Sequence, residues 1–154
     1  MLESDSVSFV WTEWKQSDLT QQLRKLSKAP ELMYNRLEDN FHLTNKKALF
    51  MNMCAYYQRL QLDPFKVAIP LTFHIKSQKD PQYDKFIREF NRLEKGGAHS
   101  NIWIVKPGEN SNRGCGIEVA DTLSEIKQLI DANARSNGNR TSIVQLYIDR
   151  PLLI

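Results

Sequence analysis

Asn101-Ile-Trp-Ile-Val-Lys-Pro-Gly-Glu-Asn-Ser-Asn-Arg-Gly-Cys-Gly-Ile117 decides how this chain is read. It opens with Ile102, Trp103, Ile104 and Val105, an unbroken apolar run that predicts a buried strand. Lys106 follows, directly before Pro107. Proline holds its neighbour extended and offers the ladder no donor, so the strand is expected to end there with the lysine at its tip. Next comes a loop of small and polar residues in which Gly108, Gly114 and Gly116 are free to take positive φ and bring backbone amides close to a ligand. Arg113 sits among them. A point charge, a forked donor and an amide cradle in one place suit a phosphate chain. The spacing is not that of a P-loop, because no Gly-Lys-Ser/Thr opens a helix, nor that of a dinucleotide fingerprint. On composition alone, a hairpin with a solvated edge lysine stands as an equal alternative.

Outward from that stretch, Ile117–Val119 reads as a short returning strand. Asp121 or Thr122 then caps a helix with Leu123, Ile126, Leu129 and Ile130 inward. Asn133–Arg140 is polar and contains glycine, so it reads as loop, and Ser142–Ile148 is an apolar strand closed by Pro151. Upstream, Asp80 and Pro81 open a helix with Phe86, Ile87, Phe90 and Leu93 on one side, ended by Gly96-Gly97. Val67–Ile75 reads as a strand with Pro70 inside it, and Asp63-Pro64 as a turn. Thr44 is expected to cap a helix over Asn45–Leu60 with Leu49, Met53, Tyr56 or Tyr57, and Leu60 as its stripe. Lys46 and Lys47 fall in its first turn, where the helix dipole disfavours cations, and they read as a solvated basic face ahead of a surface kept basic for a partner. Leu32–His42 reads as loop with room for one helical turn, and His42 as structural or on the surface. Ser17-Asp18 opens a short helix carrying Leu19, Leu23 and Leu26, and Val7–Trp14 alternates as a strand.

The chain has 154 residues and a formal charge of +3, with ordinary apolar and charged fractions. That length suits one sizeable core. No apolar run approaches the ~20 residues that span a bilayer, and the start, Met1-Leu-Glu-Ser-Asp-Ser, is not a secretory signal. Cys54 and Cys115 show neither metal nor redox spacing, which reads as two free thiols in a cytosolic protein. Basic residues are not interleaved with aromatics along one face, so a nucleic acid is not expected as a partner, and without a spanning run neither is a membrane.

Asn101–Ile117 resembles the nucleotide-gripping segment of the tubulin–tyrosine ligase-like family, Trp-Ile-x-Lys-Pro, a polar loop, then Arg-Gly-x-Gly-Ile. Ile143–Ile154 is similar to that family's Val-Val-Gln-Lys-Tyr-Ile-x-x-Pro-Leu-Leu, and Ile69–Ile75 to its Pro-x-Thr-Phe strand. The three blocks keep the family's order from about Val7 to the end. The resemblance implies an α+β (α/β) chain with a partial ATP-grasp fold. Residues 1–98 would form an N-terminal α/β subdomain and 99–154 an incomplete central subdomain. It implies an ATP-dependent carboxylate–amine ligase: a carboxylate is activated as an acyl phosphate, and an amine attacks it. Glutamate, glycine or tyrosine would be added to tubulin or microtubule tails, in the cytoplasm and cytoskeleton and extending to a cilium or axoneme.

Residue by residue, the resemblance gives Lys106 the α- and β-phosphates of ATP. Arg113, Gly114 and Gly116 would belong to the loop closing over them. Gln145, Tyr147 and Ile148 would be the hinge edging the adenine, although read alone they are an ordinary core strand. Leu146 stands where the family carries lysine beside the nucleotide, which lowers the expected affinity. No catalytic residue and no metal ligand is assigned, because the family's magnesium carboxylates lie downstream of the position matching Ile154. Without them the expected behaviour of the chain alone is weak ATP binding and no ligation. The alternative is a non-catalytic module binding nucleotide or tubulin.

Overall fold

The computed structural model describes residues 9–12, 33–35, 37, 39–97, 101–109, 114–136 and 140–152. The chain divides into two compact units, Met1–Asn40 and Phe41–Ile154. In the first, β1 (Phe9–Val10) pairs in parallel with β2 (Met33–Tyr34). The strand expected over Val7–Trp14 is thus confined to two residues among those described. The Asn35 side chain bonds both backbone groups of Thr12, accepting from its N–H at 3.1 Å and donating to its carbonyl at 3.0 Å. The helix expected around Leu19–Leu26 lies outside the described residues.

The second unit is built on an antiparallel sheet of four strands in the order β3-β6-β4-β5. These are β3 (Thr72–Ile75), β4 (Trp103–Pro107), β5 (Glu118–Ala120) and β6 (Ser142–Leu146). Five helices accompany it among the described residues: α1 (Phe41–Thr44), α2 (Lys46–Arg59), α3 (Pro64–Val67), α4 (Pro81–Gly96) and α5 (Leu123–Arg135). The division expected near residues 98–99 falls between α4 and β4, which share one core.

Strand alternation assigns the two faces of the sheet. On one, Phe73, Ile75, Trp103, Val105 and Val144 meet Phe86 and Phe90 of α4 and Ile126 and Ile130 of α5. Phe86 stands edge-on to Trp103, with ring centroids 5.0 Å apart, and edge-on to Phe73 at 5.7 Å. Each such pair adds about 0.5–1.5 kcal/mol beyond the area it buries. The Trp103 indole N–H donates to Asn101 at 2.8 Å, so the largest core residue leaves no donor unpaired. The other face carries Thr72, His74, Ile104, Lys106, Ile143 and Gln145, the positions that alternate with the core set.

The end signals of α4 act as read. Asp80 accepts from the Gln82 N–H, Pro81 takes the first helical position, and Gly97 closes the helix at φ 59°. Several boundaries differ from expectation. Asn45, not Thr44, caps α2, accepting from the Ala48 N–H, because Thr44 is used by α1. Asp63 caps a full turn, α3, where a simple turn was expected, so Val67 ends a helix and β3 begins only at Thr72, past the donor-less Pro70. Thr122 is the cap of α5. That helix runs to Arg135, whose guanidinium donates to the Asp131 carbonyl, so the loop expected from Asn133 starts later. Strand β5 sits one residue later than expected, at Glu118–Ala120. Strand β6 ends at Leu146 rather than Ile148, because its neighbours β3 and β4 run out there. No residue of α2 is buried; Tyr56 and Leu60 of its expected stripe are exposed.

Candidate functional site

Lys106 occupies the fourth position of β4, a central strand, on the face away from the aromatic core. Gln145 lies on the same face of β6, and the Lys106 ammonium donates to Gln145 Oε1 at 2.8 Å. The orientation of that amide is dictated from behind. The Thr72 hydroxyl donates to the Pro70 carbonyl at 2.7 Å, so its free lone pair accepts from Gln145 Nε2 at 2.8 Å. The amide oxygen is left facing the lysine. The Pro-Leu-Thr-Phe run at 70–73 therefore has a physical reason: its threonine, 3% exposed, aims a glutamine that aims a lysine.

These groups border a cleft of about 120 Å³ lined by Lys46, Leu49 and Phe50 of α2 with Ile69, Thr72, Lys106, Ile143 and Gln145. Lys46 is the member that sequence reasoning missed. The signal was present, since two lysines in the first turn of a helix oppose its dipole and call for a compensating partner. The reading of that turn as a solvated basic face is corrected by position: Lys46 lines the cleft, and the Lys47 ammonium meets Glu109 Oε1 at 2.8 Å. Burial lowers the pKa of Lys106, and the charge of Lys46 lowers it further. Both ammonium-bearing side chains thus border one cleft, where like charges raise the local positive potential.

The remaining expected site residues are spread around this centre. Gly114 and Gly116 hold φ of 80° and 72°, and a Cβ on Gly116 would crowd the Pro107 ring at 3.0 Å, so glycine is required there. Arg113 lies outside the described residues. Tyr147 and Ile148 follow the end of β6 and are exposed; the Tyr147 N–H donates to the Ile102 carbonyl at 2.9 Å. His42 is exposed, 3.2 Å from the Asn52 amide. Cys54 and Cys115 are free thiols.

The donor set tests what the cleft accommodates. Two ammonium groups, an amide and apolar walls suit phosphate oxygens beside an apolar group. No carboxylate lines it, and no group of three or more His, Cys, Asp or Glu capable of holding a metal occurs among the described residues. These residues fit a nucleotide's phosphates and do not fit magnesium.

The fold belongs to the ATP-grasp class. The C-terminal domain of Pby1 from K. lactis, described as an ATP-grasp enzyme, matches 99% of this chain and 40% of its own at TM-score 0.50 and 20% identity. The model of the tubulin-tyrosine ligase family matches residues 24–154, and the chain belongs to that family. Tubulin monoglycylase TTLL3 of Mus musculus is 52% identical over 54 residues, 35% of this chain and 6% of that protein. Tubulin glycylase 3B of Drosophila melanogaster is 48% identical over 54 residues, likewise 35% and 6%. Protein monoglycylase TTLL8 of Mus musculus is 39% identical over the same length and shares. The matched segment is thus a small fraction of each relative.

Proposed function

We propose that this chain supplies the nucleotide-phosphate grip of an ATP-dependent carboxylate–amine ligase that acts on tubulin, with glycine as the amino acid added. The single observation carrying the nucleotide part is the convergence of Lys46 and Lys106 on one cleft, with Gln145 fixing the second lysine. The choice of glycine rests on the similarity to tubulin glycylases of mouse and fly. In the reaction the γ-phosphoryl group of ATP passes to a carboxylate of the tubulin tail. The glycine amine then forms the amide, and inorganic phosphate leaves. Lys106 and Lys46 take the polyphosphate oxygens, neutralising charge that would otherwise repel the incoming carboxylate. Leu49, Phe50, Ile69 and Ile143 form the apolar wall and limit water beside these cations, which strengthens their pull. Gly114 and Gly116 belong to the loop over the phosphates. Gln145, Tyr147 and Ile148 edge the base, the last two through backbone groups. The chain partners ATP and tubulin tails in a cytoskeletal setting. Magnesium, when bound, would offset phosphate charge, and its ligands are sought outside this cleft.

A module that binds nucleotide without chemistry is the second reading, favoured by a lining that, among the described residues, holds cations and an amide but no carboxylate. Equilibrium binding of fluorescent ATP to the purified chain tests the shared part. ATP should bind more tightly than AMP, and Lys106→Ala should remove most of the difference. Equal binding by wild type and variant would end the nucleotide proposal. Incubation with tubulin, ATP, magnesium and labelled glycine, glutamate or tyrosine separates the two readings. Glycine incorporation that Lys106→Ala abolishes marks a ligase, whereas binding without incorporation marks the module.

A further inference from the structure

We infer that Lys47 and Glu109 form a latch that positions Lys46, so that an acidic residue next to the phosphate loop strengthens polyphosphate binding without touching the ligand. This rests on the nucleotide reading above and assigns two positioning residues to it.

Glu109 is placed where the chain leaves β4, two residues beyond Pro107. Its carboxylate is held at several points. It accepts from the Thr141 N–H at 2.7 Å and shares the single proton of the Thr141 hydroxyl, which lies 2.8 and 2.9 Å from its two oxygens. The Gly108 N–H meanwhile donates to the Thr141 carbonyl at 2.8 Å, extending the β4–β6 ladder to the carboxylate's own neighbour. His74 Nε2 lies 2.9 Å from the Thr141 hydroxyl and ties in β3. Strands β3, β4 and β6 thus converge on one carboxylate, and that carboxylate takes the Lys47 ammonium at 2.8 Å.

Lys47 is the second residue of α2, and Lys46 is the first. No side chain of the helix is fully buried and its first residues are half-buried, so a polar tie to the sheet adds to the packing of its first turn. The ion pair spans 62 residues of sequence and pins that turn to the sheet. Lys46, one residue away on a rigid helical turn, is then held at the cleft. In isolation a pair this exposed contributes little stability, so its consequence is geometric. It also consumes the Lys47 charge at Glu109, leaving Lys46 and Lys106 as the cations that line the cleft.

The sign of one substitution separates the latch from plain electrostatics. Removing a negative charge near a phosphate site should tighten anion binding by Coulomb's law alone. The latch requires the reverse: Glu109→Gln should weaken ATP binding, as should Lys47→Met, each by about three- to tenfold, a fraction of the loss from removing a charged contact outright. Lys47→Arg, which keeps the pair, should restore affinity. In a Lys46→Met background, Lys47→Met should add less than about twofold, because its effect passes through Lys46. Fluorescent-ATP titrations of the full chain, with thermal midpoints alongside, read these values. Tighter binding by Glu109→Gln, or an undiminished Lys47→Met effect in the Lys46→Met background, overturns the latch. Lys47→Met keeps the question open to refutation if Glu109→Gln fails to fold. If Lys46→Met and Lys106→Ala themselves leave ATP binding unchanged, the failure lies with the nucleotide site and not with the latch.

Discussion

Replacing Lys106 by methionine should move stability and binding in opposite directions. In the unliganded protein the ammonium is half-buried and faces Lys46, and both conditions disfavour its charged form. Methionine keeps most of the apolar stem and removes both penalties, at the cost of one hydrogen bond to Gln145 Oε1. That oxygen belongs to a partly exposed residue, so water can take the place of the ammonium as its donor. The thermal midpoint should therefore hold or rise. With ATP present, the variant lacks a charge-assisted contact worth about 1.5–3 kcal/mol. At about 1.4 kcal/mol per factor of ten, that is roughly a 10- to 150-fold loss of affinity. Differential scanning fluorimetry with and without ATP measures both at once. The wild-type midpoint should climb with ATP concentration by mass action while that of the variant stays nearly flat. A variant that loses several degrees without ligand yet responds to ATP like wild type would refute the assignment, since Lys106 would then be a structural residue.

Trp103→Ala should destabilise by about 3–5 kcal/mol, because the indole is fully buried against Phe73 and Phe86; urea unfolding reads it. Gly108→Ala should cost about 1–3 kcal/mol, because an added Cβ would overlap the Thr141 hydroxyl that holds Glu109, and the same titration shows a reduced midpoint. Burial, and next Lys47, hold the His74 pKa below its ordinary 6.5. Its contribution to stability is complete above that value and is lost as pH falls towards the folded pKa, so His74→Gln should flatten the decline of the urea midpoint just below pH 6.5. Burial pushes the Glu109 carboxyl up, but Lys47 and Thr141 outweigh it and leave the pKa below the ordinary 4.5. Glu109→Gln should accordingly remove part of the loss seen below pH 4.5, measured by circular dichroism across an acid series.

Local chemistry made several elements readable from the amino-acid order. Asp80-Pro81 and Gly97 bound α4 because a cap, a fixed φ and a left-handed glycine act over one turn of chain. The Ile-Val-Lys-Pro junction marked a strand with a lysine near its end for similarly short-range reasons. In the folded strand, alternation puts Trp103 and Val105 on one face and Lys106 on the other, which the unbroken apolar run did not show. The extent of β3 and β6 was less legible, since strand ends depend on where partner strands stop. The site itself required the tertiary structure. Lys106 meets Gln145 across 39 residues, Lys47 meets Glu109 across 62, and Gln145 meets Thr72 across 73. No periodicity in one segment encodes such pairings, because each forms only when separate strands reach register and a helix settles over them. The sequence by itself specified which residues carry charge and where the backbone turns. The folded sheet decided which charges share a cleft, and long-range packing chose Lys46 for the cleft and Lys47 for Glu109.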